Sequence, residues 1–419
     1  MMPRLIYTLA VLLLLPWAVL HLLWRSRRQP EYLHHWGERF ARYDTSADGM
    51  PTIWLHAVSV GETRAAQPLV SALRHRFPDH RILFTHMTPT GRATSESLYG
   101  DSVSRIYLPY DTPWAMRRFL RRFRPRLGLI METELWPNLV DACREEAVPL
   151  LLVNARLSER SAQRYATFSA LTARALSQLT AIAAQSAEDA RRLEALGACN
   201  VSVTGNLKFD ITIPAAQIAL GGEFRRRHGD RPSWLAASTR EGEEALILDA
   251  WRQTTAAGQA LLVIVPRHPQ RFDEVARLAR ERGWRVQLRS EDAAIAPETE
   301  IVIGDSMGEM FAYYVAADLA FIGGSLLDFG SQNLIETAAC GTPILIGPST
   351  RNFAEAARAA FACGAARAVV DAGDLARQVA ALLADETARA AMGEAGKYFA
   401  ARHRGATART MELLSRATR

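Results

Sequence analysis

The sequence predicts an α/β protein with two Rossmann-like domains facing a central cleft, preceded by an N-terminal transmembrane helix. Short apolar runs alternate with helix-patterned stretches from about residue 51 onward, and this alternation lapses only at 211–232. Continuous apolar runs between amphipathic helices are typical of parallel strands that are buried on both faces. Ligands bind at the carboxyl ends of such strands, so we expect the functional residues there.

The first long apolar run, Leu5 to Trp24, contains no Asp, Glu, Lys or Arg. About 20 apolar helical residues cross a bilayer. Arg25, Arg27 and Arg28 follow the run, and the positive-inside rule then predicts that the rest of the chain is cytoplasmic. Because no small-residue cleavage pattern follows, we expect residues 1–28 to form an uncleaved single-pass anchor rather than a signal peptide.

Fourteen apolar runs are predicted as strands. In the first half they are 52–58, 81–86, 105–110, 126–131, 149–154, 180–184 and 201–205. In the second half they are 234–238, 260–265, 285–288, 300–304, 319–323, 343–347 and 367–370. Residues 211–232, which are rich in Pro, Gly and charge, are predicted as a linker. The domains are therefore expected at 29–210 and at 233–419, the second ending in helices.

Composition excludes several classes of protein. Of 419 residues, 49% are hydrophobic and 22% charged, which excludes a disordered, collagenous or polytopic membrane protein. The four cysteines have no CxxC spacing, so neither a disulfide framework nor a zinc ribbon is predicted. The formal charge of +6 leaves an anionic membrane, an anionic substrate or nucleic acid as partners.

Polar residues follow two predicted strands of the first domain. The segment HAVSVGE contains Ser59, Gly61 and Glu62, and Glu62 is either a general base or an acid that favours the start of a helix. Glu132 and Glu134 follow the strand at 126–131. Acids in that position bind, catalyse or cap a helix, and these alternatives stay open.

In the second domain, Arg267 and His268 follow Pro266 at the end of a strand, where they could meet an anion or serve as a surface cap. Two small-residue turns come later, the first at Gly324-Ser325 and the second at Gly330-Ser331. The second turn opens a helix that holds Asn333 and Glu336. Backbone N–H groups at such turns bind phosphate, and a carboxylate one turn into the helix could bind ribose hydroxyls.

Other motifs are missing from the sequence. It has neither a GxGxxG nor a Walker loop, which disfavours NAD and ATP chemistry. It also lacks a D-x-D pair, so we expect no metal-chelated diphosphate, no metal site and no cofactor.

The segment WAMRRFLRRFRPR, residues 114–126, holds six arginines and no acid. Arg117, Arg118, Arg121 and Arg122 could dock on anionic lipid, and a solvated basic face is the alternative. No nucleic-acid-binding module is evident, so nucleic acid is not expected as a partner.

Residues from about 51 to 360 resemble a known family in a series of ordered motifs. The chain resembles the 3-deoxy-D-manno-octulosonic acid (Kdo) transferases, the inner-membrane enzymes of lipopolysaccharide core assembly. The matching segments, in family order, are WLHAVSVGE, THMTPTGR, YLPYDTP, METELWPNL, LVNARLSERS, VTGNLKFD, LAASTREGEE, VPRHPQRF, GDSMGEM, AADLAFIGGSL and GSQNLIETAACGTPILIGP, with Asn352 beyond them. Two residues depart from the pattern: Arg240 stands where a His is expected, and Ser331 where the family has a second Gly.

The resemblance implies an inverting GT-B glycosyltransferase that moves Kdo from CMP-Kdo to a lipid A precursor, lipid IVA, without a metal. It implies Glu62 as the base, in the position of the family's base, and places Ser59, Gly61, Glu132 and Glu134 on the acceptor side. It also implies an inner-membrane protein whose domains are cytoplasmic. Residues expected to bind the donor are Lys208, Ser238, Thr239, Arg240, Pro266, Arg267, His268, Met307, Gly308, Gly324, Ser325, Gly330, Ser331, Asn333 and Glu336.

Two other functions stay open. One is another membrane-tethered GT-B enzyme, such as a different nucleotide-sugar glycosyltransferase or an epimerase, and release of CMP rather than UDP would distinguish the two. The other is a membrane-tethered binding protein without enzymatic activity. The sequence argues against it because it keeps all four candidate site residues, Glu62, Arg267, Asn333 and Glu336.

Overall fold

The structure is a computed structural model that describes residues 2–27, 29–43, 49–254 and 259–417. These residues form two compact units. The first comprises Met1–Asp210 and Arg404–Arg419, and the second comprises Ile211–His403. Arg28, the third arginine of the predicted basic cluster, lies outside the described residues.

The chain begins with helix α1 (Met2–Ser26), followed by short 3-10 helices at Pro30–Leu33 and Trp36–Phe40. Within the described ranges, α1 is the one helix that is long and apolar enough to cross a membrane. It is therefore a candidate membrane anchor, as the sequence predicts.

The first unit is built on a parallel sheet. Among its described residues the strands are β1 (Thr52–His56), β2 (Arg81–His86), β3 (Ser104–Tyr107), β4 (Pro125–Met131), β5 (Leu150–Ala155), β6 (Ala181–Ala184) and β7 (Val201–Val203), in the order β3-β2-β1-β4-β5-β6-β7. The helices after them are α2 (Val60–Ala65), α3 (Gln67–Arg76), α4 (Pro89–Tyr99), α5 (Pro113–Phe123), α6 (Pro137–Glu145), α7 (Glu159–Ala166), α8 (Ser169–Ser177) and α9 (Ala187–Ala195). Both faces of the sheet are buried: Trp54 lies in one core and Leu55 in the other.

The second unit repeats this architecture. Its described strands are β8 (Ser233–Thr239), β9 (Leu261–Pro266), β10 (Val286–Leu288), β11 (Ile301–Ile303), β12 (Leu319–Ile322), β13 (Ile344–Ile346) and β14 (Ala366–Ala368), in the order β10-β11-β9-β8-β12-β13-β14. The helices are α10 (Ala215–His228), α11 (Glu243–Gln253), α12 (Phe272–Glu281), α13 (Met310–Ala316), α14 (Leu334–Cys340), α15 (Ala354–Ala362), α16 (Ala372–Ala384) and α17 (Glu386–Arg402). The two parallel α/β units of the predicted fold class and all fourteen predicted strands are thus confirmed.

The structure differs from the predicted domain limits at two places. Residues 211–232, predicted as a linker, contain α10, which packs in the second unit through the buried Phe224. Gly221, which suggested a break, lies where a Cβ would be 2.6 Å from Val315, so it permits close packing of helices. The last helix, α18 (Ala406–Ala417), lies with the first unit, where Asp210 accepts the N–H of Gly405 at 2.6 Å.

Candidate active site

Three carboxylates gather at the carboxyl edge of the first sheet. Glu62 follows β1, while Glu132 and Glu134 follow the adjacent β4. The negative charges of Glu132 and Glu134 contribute to a raised pKa at Glu62, so the three groups interact. The structure therefore brings together the acids that the sequence singles out in this unit.

Burial raises the pKa of Glu62 to about 7. Its Oε2 accepts the N–H of Val58 at 2.8 Å, and its Oε1 accepts the hydroxyl of Ser59 at 2.8 Å. Ser59 in turn caps α2 by accepting the N–H of Glu62. Glu62 thus has both predicted features: it supports the start of a helix, and it can exchange a proton near neutral pH.

The turn that holds Glu62 is fixed by β2 and the loop after it. Thr88 donates its hydroxyl to the carbonyl of Val58 at 3.0 Å, and the ring Nδ1 of His86 lies 2.8 Å from the carbonyl of Ala57. Burial lowers the pKa of His86 to about 4 and that of His56 to about 3, so both imidazoles are neutral at neutral pH. These histidines support the turn and do not compete with Glu62 as bases.

Lys208 also lies in the first unit, beside Glu132, with 3.7 Å between Nζ and Oε1. Asn154 brings it there, because its Oδ1 accepts the N–H of Leu207 at 3.0 Å. Glu132 and Asn154 both have positive φ, 56° and 54°. Non-glycine residues are strained in that region, and such strain clusters at functional sites. The sequence associates Lys208 with the donor, whereas here it accompanies the acids.

The arginines of α5 lie apart from this group of acids, on the outer face of their helix. Arg117 pairs with Glu145 at 2.7 Å, and Arg121 pairs with Glu146 at 2.8 Å. The apolar residues between them do not face outward as a membrane-inserting face would. Phe119, Leu120 and Phe123 are buried in the core of the unit, so only the basic face of α5 is available to a partner.

In the second unit, most of the predicted donor residues follow three adjacent strands. Ser238 and Thr239 end β8, and Arg240 follows it. Pro266 ends β9, and Arg267 and His268 follow it. Gly324 and Ser325 follow β12. The Arg267 N–H donates to the Thr239 carbonyl at 3.0 Å. Met307 and Gly308 follow β11, which lies on the other side of β9.

These loops form a basic group. Burial lowers the pKa of His268, and so do the positive charges of Arg240, Arg267 and Arg271. The Arg240 guanidinium lies 4.6 Å from the centre of the Phe329 ring, which holds it against the loop after β12. Arginines so placed suit a phosphate or a carboxylate, which they bind by paired hydrogen bonds.

Asn333 and Glu336 meet at the start of α14. Asn333 accepts the N–H of Ile335 at 3.0 Å and donates its amide to Oε1 of Glu336 at 2.9 Å. The carboxylate of Glu336 is thereby oriented by the residue three positions earlier, a spacing that puts both on one helical face.

Backbone groups of the two small-residue turns have partners inside the protein. The N–H of Gly330 donates to Oγ of Ser349 at 2.9 Å, and that of Ser331 donates to the carbonyl of Gly324 at 2.6 Å. The Ser325 hydroxyl donates to the Ile322 carbonyl and accepts the Gly347 N–H at 2.8 Å. This differs from the expectation that these turns present their N–H groups to phosphate.

Sequence reasoning missed Glu243, the buried first residue of α11. Its carboxylate accepts the N–H groups of Arg240 at 2.9 Å, Gly324 at 2.6 Å and Leu326 at 3.0 Å. It therefore ties the loop after β8 to the loop after β12. The signal was available: two acids, Glu243 and Glu244, stand next to each other where a strand turns into a helix.

Ser331, one of the two departures from the family pattern, has a φ of +69°. Since this region costs a non-glycine residue about 1–2 kcal/mol, we expect Ser331→Gly to raise the free energy of unfolding by about 1 kcal/mol. Gly330→Ala should act in the opposite direction, because its Cβ would lie 2.7 Å from Arg351 and Asn352. Denaturant titration of both variants checks this, and equal stability would contradict it.

No group of three or more His, Cys, Asp or Glu side chains is placed to hold a metal ion within the described ranges. The groups that could hold a ligand in the second unit are the arginines, His268, Asn333 and Glu336.

The fold of the two units is that of the GT-B glycosyltransferases. A UDP-GlcNAc 2-epimerase from Neisseria meningitidis has a similar fold, with a TM-score of 0.61 at 14% identity over 88% of this chain and 100% of that one. Residues 246–399 match the family model for glycosyl transferases group 1.

Residues 34–211 match the family model described as 3-deoxy-D-manno-octulosonic-acid transferase. A 3-deoxy-D-manno-octulosonic acid transferase from Bordetella pertussis is 43% identical, with 99% of each chain covered. One from Haemophilus influenzae is 37% identical, with 98% of each covered. The chain belongs to the Kdo transferase family.

Proposed function

We propose that the protein transfers Kdo from CMP-Kdo to a lipid A precursor, lipid IVA, in lipopolysaccharide core biosynthesis. The observation that carries this proposal is Glu62, a buried carboxylate with a pKa of about 7 at the end of β1, in a chain that belongs to the Kdo transferases. We place the reaction on the cytoplasmic face of the inner membrane. Arg25 and Arg27, which follow the apolar helix, favour that face because basic residues next to apolar helices are enriched there.

We assign the donor to the second unit. CMP-Kdo carries a phosphodiester and a sugar carboxylate, and the basic group of Arg240, Arg267 and His268 suits two anionic groups without a metal. Glu336, oriented by Asn333, is assigned to the ribose hydroxyls. The turns at Gly324 and Gly330 are assigned to shaping the loops around the donor rather than to hydrogen bonding with it.

We assign the acceptor to the first unit, with Glu62 as general base. The acceptor hydroxyl gives its proton to Glu62 as its oxygen bonds to the anomeric carbon of Kdo, and the bond from that carbon to the phosphate oxygen breaks. CMP leaves with the electron pair on its phosphate. A single displacement of this kind inverts the anomeric carbon and requires one base. Glu132, Glu134 and Lys208 are assigned to positioning of the acceptor.

The proposed function is tested by incubating the purified protein with CMP-Kdo and tetra-acylated lipid A precursor, with mass spectrometry of the lipid. The expected product is heavier by one or more Kdo residues, with CMP released in equal amount. Turnover of a UDP-sugar instead would identify a different GT-B enzyme, and binding without turnover would identify a binding protein.

Truncation of Glu336 should weaken donor binding. We expect Glu336→Ala to lower the affinity for CMP by about 1–3 kcal/mol, the range for a lost hydrogen bond to a charged group. Isothermal titration calorimetry measures this, and Glu394→Ala, which removes an exposed acid of the same unit, is the matched control. Unchanged CMP affinity in Glu336→Ala would remove this residue from the donor site.

The basic face of α5 should contribute to activity on lipid surfaces. Arg118 and Arg122 are assigned to contact with anionic headgroups, whereas Arg117 and Arg121 already pair with acids. Since one basic residue near such a surface contributes about 1 kcal/mol, the double variant Arg118→Ser/Arg122→Ser should bind anionic vesicles much more weakly than Arg117→Ser/Arg121→Ser. Vesicle sedimentation and transfer rates check this. If both variants bind anionic vesicles as well as the parent does, the arginines of α5 form a solvated surface and do not dock on lipid.

A further inference from the structure

The amino-terminal end of α1 is hydrogen-bonded to the first unit. The hydroxyl of Tyr7 donates to Oδ2 of Asp111 at 2.9 Å, and that of Thr8 donates to Oδ1 of Asn138 at 3.0 Å. Asp111 is buried and also accepts the N–H groups of Asn138 at 3.0 Å and Leu139 at 2.8 Å. Tyr7 thus bonds to a buried carboxylate that already holds the start of α6.

Arg4 adds ion pairs at the same end. Its Nε lies 2.9 Å from Oδ2 of Asp141, and its Nη1 lies 3.5 Å from Glu145. Asp141 is nearly buried and also pairs with Arg174 of α8 at 2.8 Å. Glu145 is the acid that pairs with Arg117 of α5, so this end of α1 joins the charged surface formed by α5 and α6.

The middle of α1 has one less exposed side. The positions that are less exposed recur at helical spacing, namely Arg4, Tyr7, Thr8, Val11, Leu15, Ala18, Val19 and Leu22. At the far end, Arg25 lies 4.7 Å from the centre of the ring of Tyr32, which is buried in the first unit. Both ends of α1 are therefore placed against one compact unit.

The opposite side of α1 is apolar and exposed. Its large side chains are Leu5, Ile6, Leu9, Leu12, Leu13, Leu14, Trp17, Leu20, Leu23 and Trp24, and Leu13 is 80% exposed. An exposed apolar patch of this size marks a surface that is covered by a partner. No Asp, Glu, Lys or Arg interrupts it between Leu5 and Trp24, which fits hydrocarbon rather than a protein with a polar rim.

A membrane-spanning α1 is incompatible with these contacts. A helix of this length extends about 37 Å, and the hydrocarbon layer is about 30 Å thick, so its two ends would lie on opposite sides. At one end of α1, Arg4 pairs with Asp141 and with Glu145, and Glu145 also pairs with Arg117. At the other end, Arg25 contacts Tyr32. The first unit would then have to carry charged side chains through the bilayer, which is strongly unfavourable.

We propose that α1 lies in the plane of the membrane, with its less exposed side on the first unit and its exposed apolar side in one leaflet. Both of its ends are then on the same side as the two α/β units, in place of the single span that the sequence predicts. The proposal rests on the proposed function for the membrane location alone. It places the basic face of α5 beside α1 through Glu145, so an anionic leaflet meets arginines and apolar side chains together.

Cross-linking in native membranes tests the orientation. In full-length protein whose four native cysteines are replaced by alanine, we introduce Thr8→Cys with Asn138→Cys and treat membranes with a short thiol-specific bifunctional reagent. We expect the 8–138 link in most molecules by peptide mass spectrometry. The control pair Leu13→Cys with Asn138→Cys, from the exposed face, should link several-fold less.

Labelling from either side gives the second measurement. A cysteine in an uncharged amino-terminal tag should react with a membrane-impermeant maleimide in inverted vesicles only. Reaction in intact spheroplasts, together with absence of the 8–138 link, would establish a spanning helix and overturn the proposal. Failure to link in a protein that still transfers Kdo rejects the orientation alone, whereas a linked but inactive protein rejects the proposed function alone.

Discussion

Replacing Glu62 by Gln should lower turnover by about 10²–10⁴-fold, the contribution of a general base to a proton-transfer step. Gln keeps the size of the side chain and can still accept the N–H of Val58 and contact the hydroxyl of Ser59. It loses only the ability to take a proton from the acceptor. Donor binding should be unchanged, because Glu62 belongs to the first unit and the assigned donor residues belong to the second.

The pH dependence of the parent should identify the same group. Burial raises the pKa of Glu62 to about 7, so the basic form accumulates as pH rises through that value. The rate of the parent should be half-maximal near pH 7 and level off above that value, and Glu62→Gln should lack this dependence. Glu96→Gln, a change at an exposed acid of the same unit, should keep the profile of the parent.

The stability of Glu62→Gln shows whether its loss of turnover comes from unfolding. A carboxyl whose pKa is raised on folding stabilises the protein below its unfolded pKa, and this contribution is lost as pH rises through the folded value. Glu62→Gln carries no such charge, so at pH 8 it should be no less stable than the parent. Turnover within a few-fold of the parent would exclude Glu62 as the base, and Glu132 and Glu134 would then be the candidates.

The sequence predicts the two sheets well because parallel strands buried on both faces give continuous apolar runs. It misplaces residues 211–232 for a physical reason. Gly221 and Gly222 suggest a break in α10, yet Gly221 is there because Val315 packs against it at a distance that excludes a Cβ. Local composition does not distinguish a glycine that ends a helix from one that allows two helices to touch.

Side-chain partners are harder to predict than strands. The motif Gly323-Gly324-Ser325 suggests N–H groups that face a phosphate, but Glu243 accepts one of them from 81 positions earlier in the chain. Likewise, twenty apolar residues suggest a spanning helix, whereas the proposed orientation rests on the long-range bonds of Arg4, Tyr7 and Thr8 to the first unit. The N–H of Gly324 and the hydroxyl of Tyr7 both bond to buried carboxylates, Glu243 and Asp111, which sequence periodicity does not reveal.

Removal of the Glu243 carboxylate should disrupt the donor loops more than any single change among the assigned ligand residues. Glu243 is fully buried, and its two oxygens accept the N–H groups of Arg240, Gly324 and Leu326. A buried donor left without a partner costs about 1–3 kcal/mol, and since two of these three bonds are only partly buried, we expect Glu243→Ala to cost about 2–4 kcal/mol. Glu241→Ala, which removes the exposed acid two residues earlier, should be close to neutral.

The destabilisation caused by Glu243→Ala should be concentrated in the loops after β8 and β12, which Glu243 joins. Hydrogen exchange of peptides covering 236–245 and 323–331 should accelerate in Glu243→Ala, while peptides of the first unit keep the rates of the parent. CMP affinity should fall further than in Glu336→Ala, because Arg240 and the turn at Gly324 lose their common support, whereas Glu336→Ala removes one ligand contact. Glu243→Gln retains one acceptor oxygen and should be intermediate. If Glu243→Ala leaves both the exchange rates and CMP affinity unchanged, the loops are held by their remaining bonds, and Glu243 has no part in shaping the donor site.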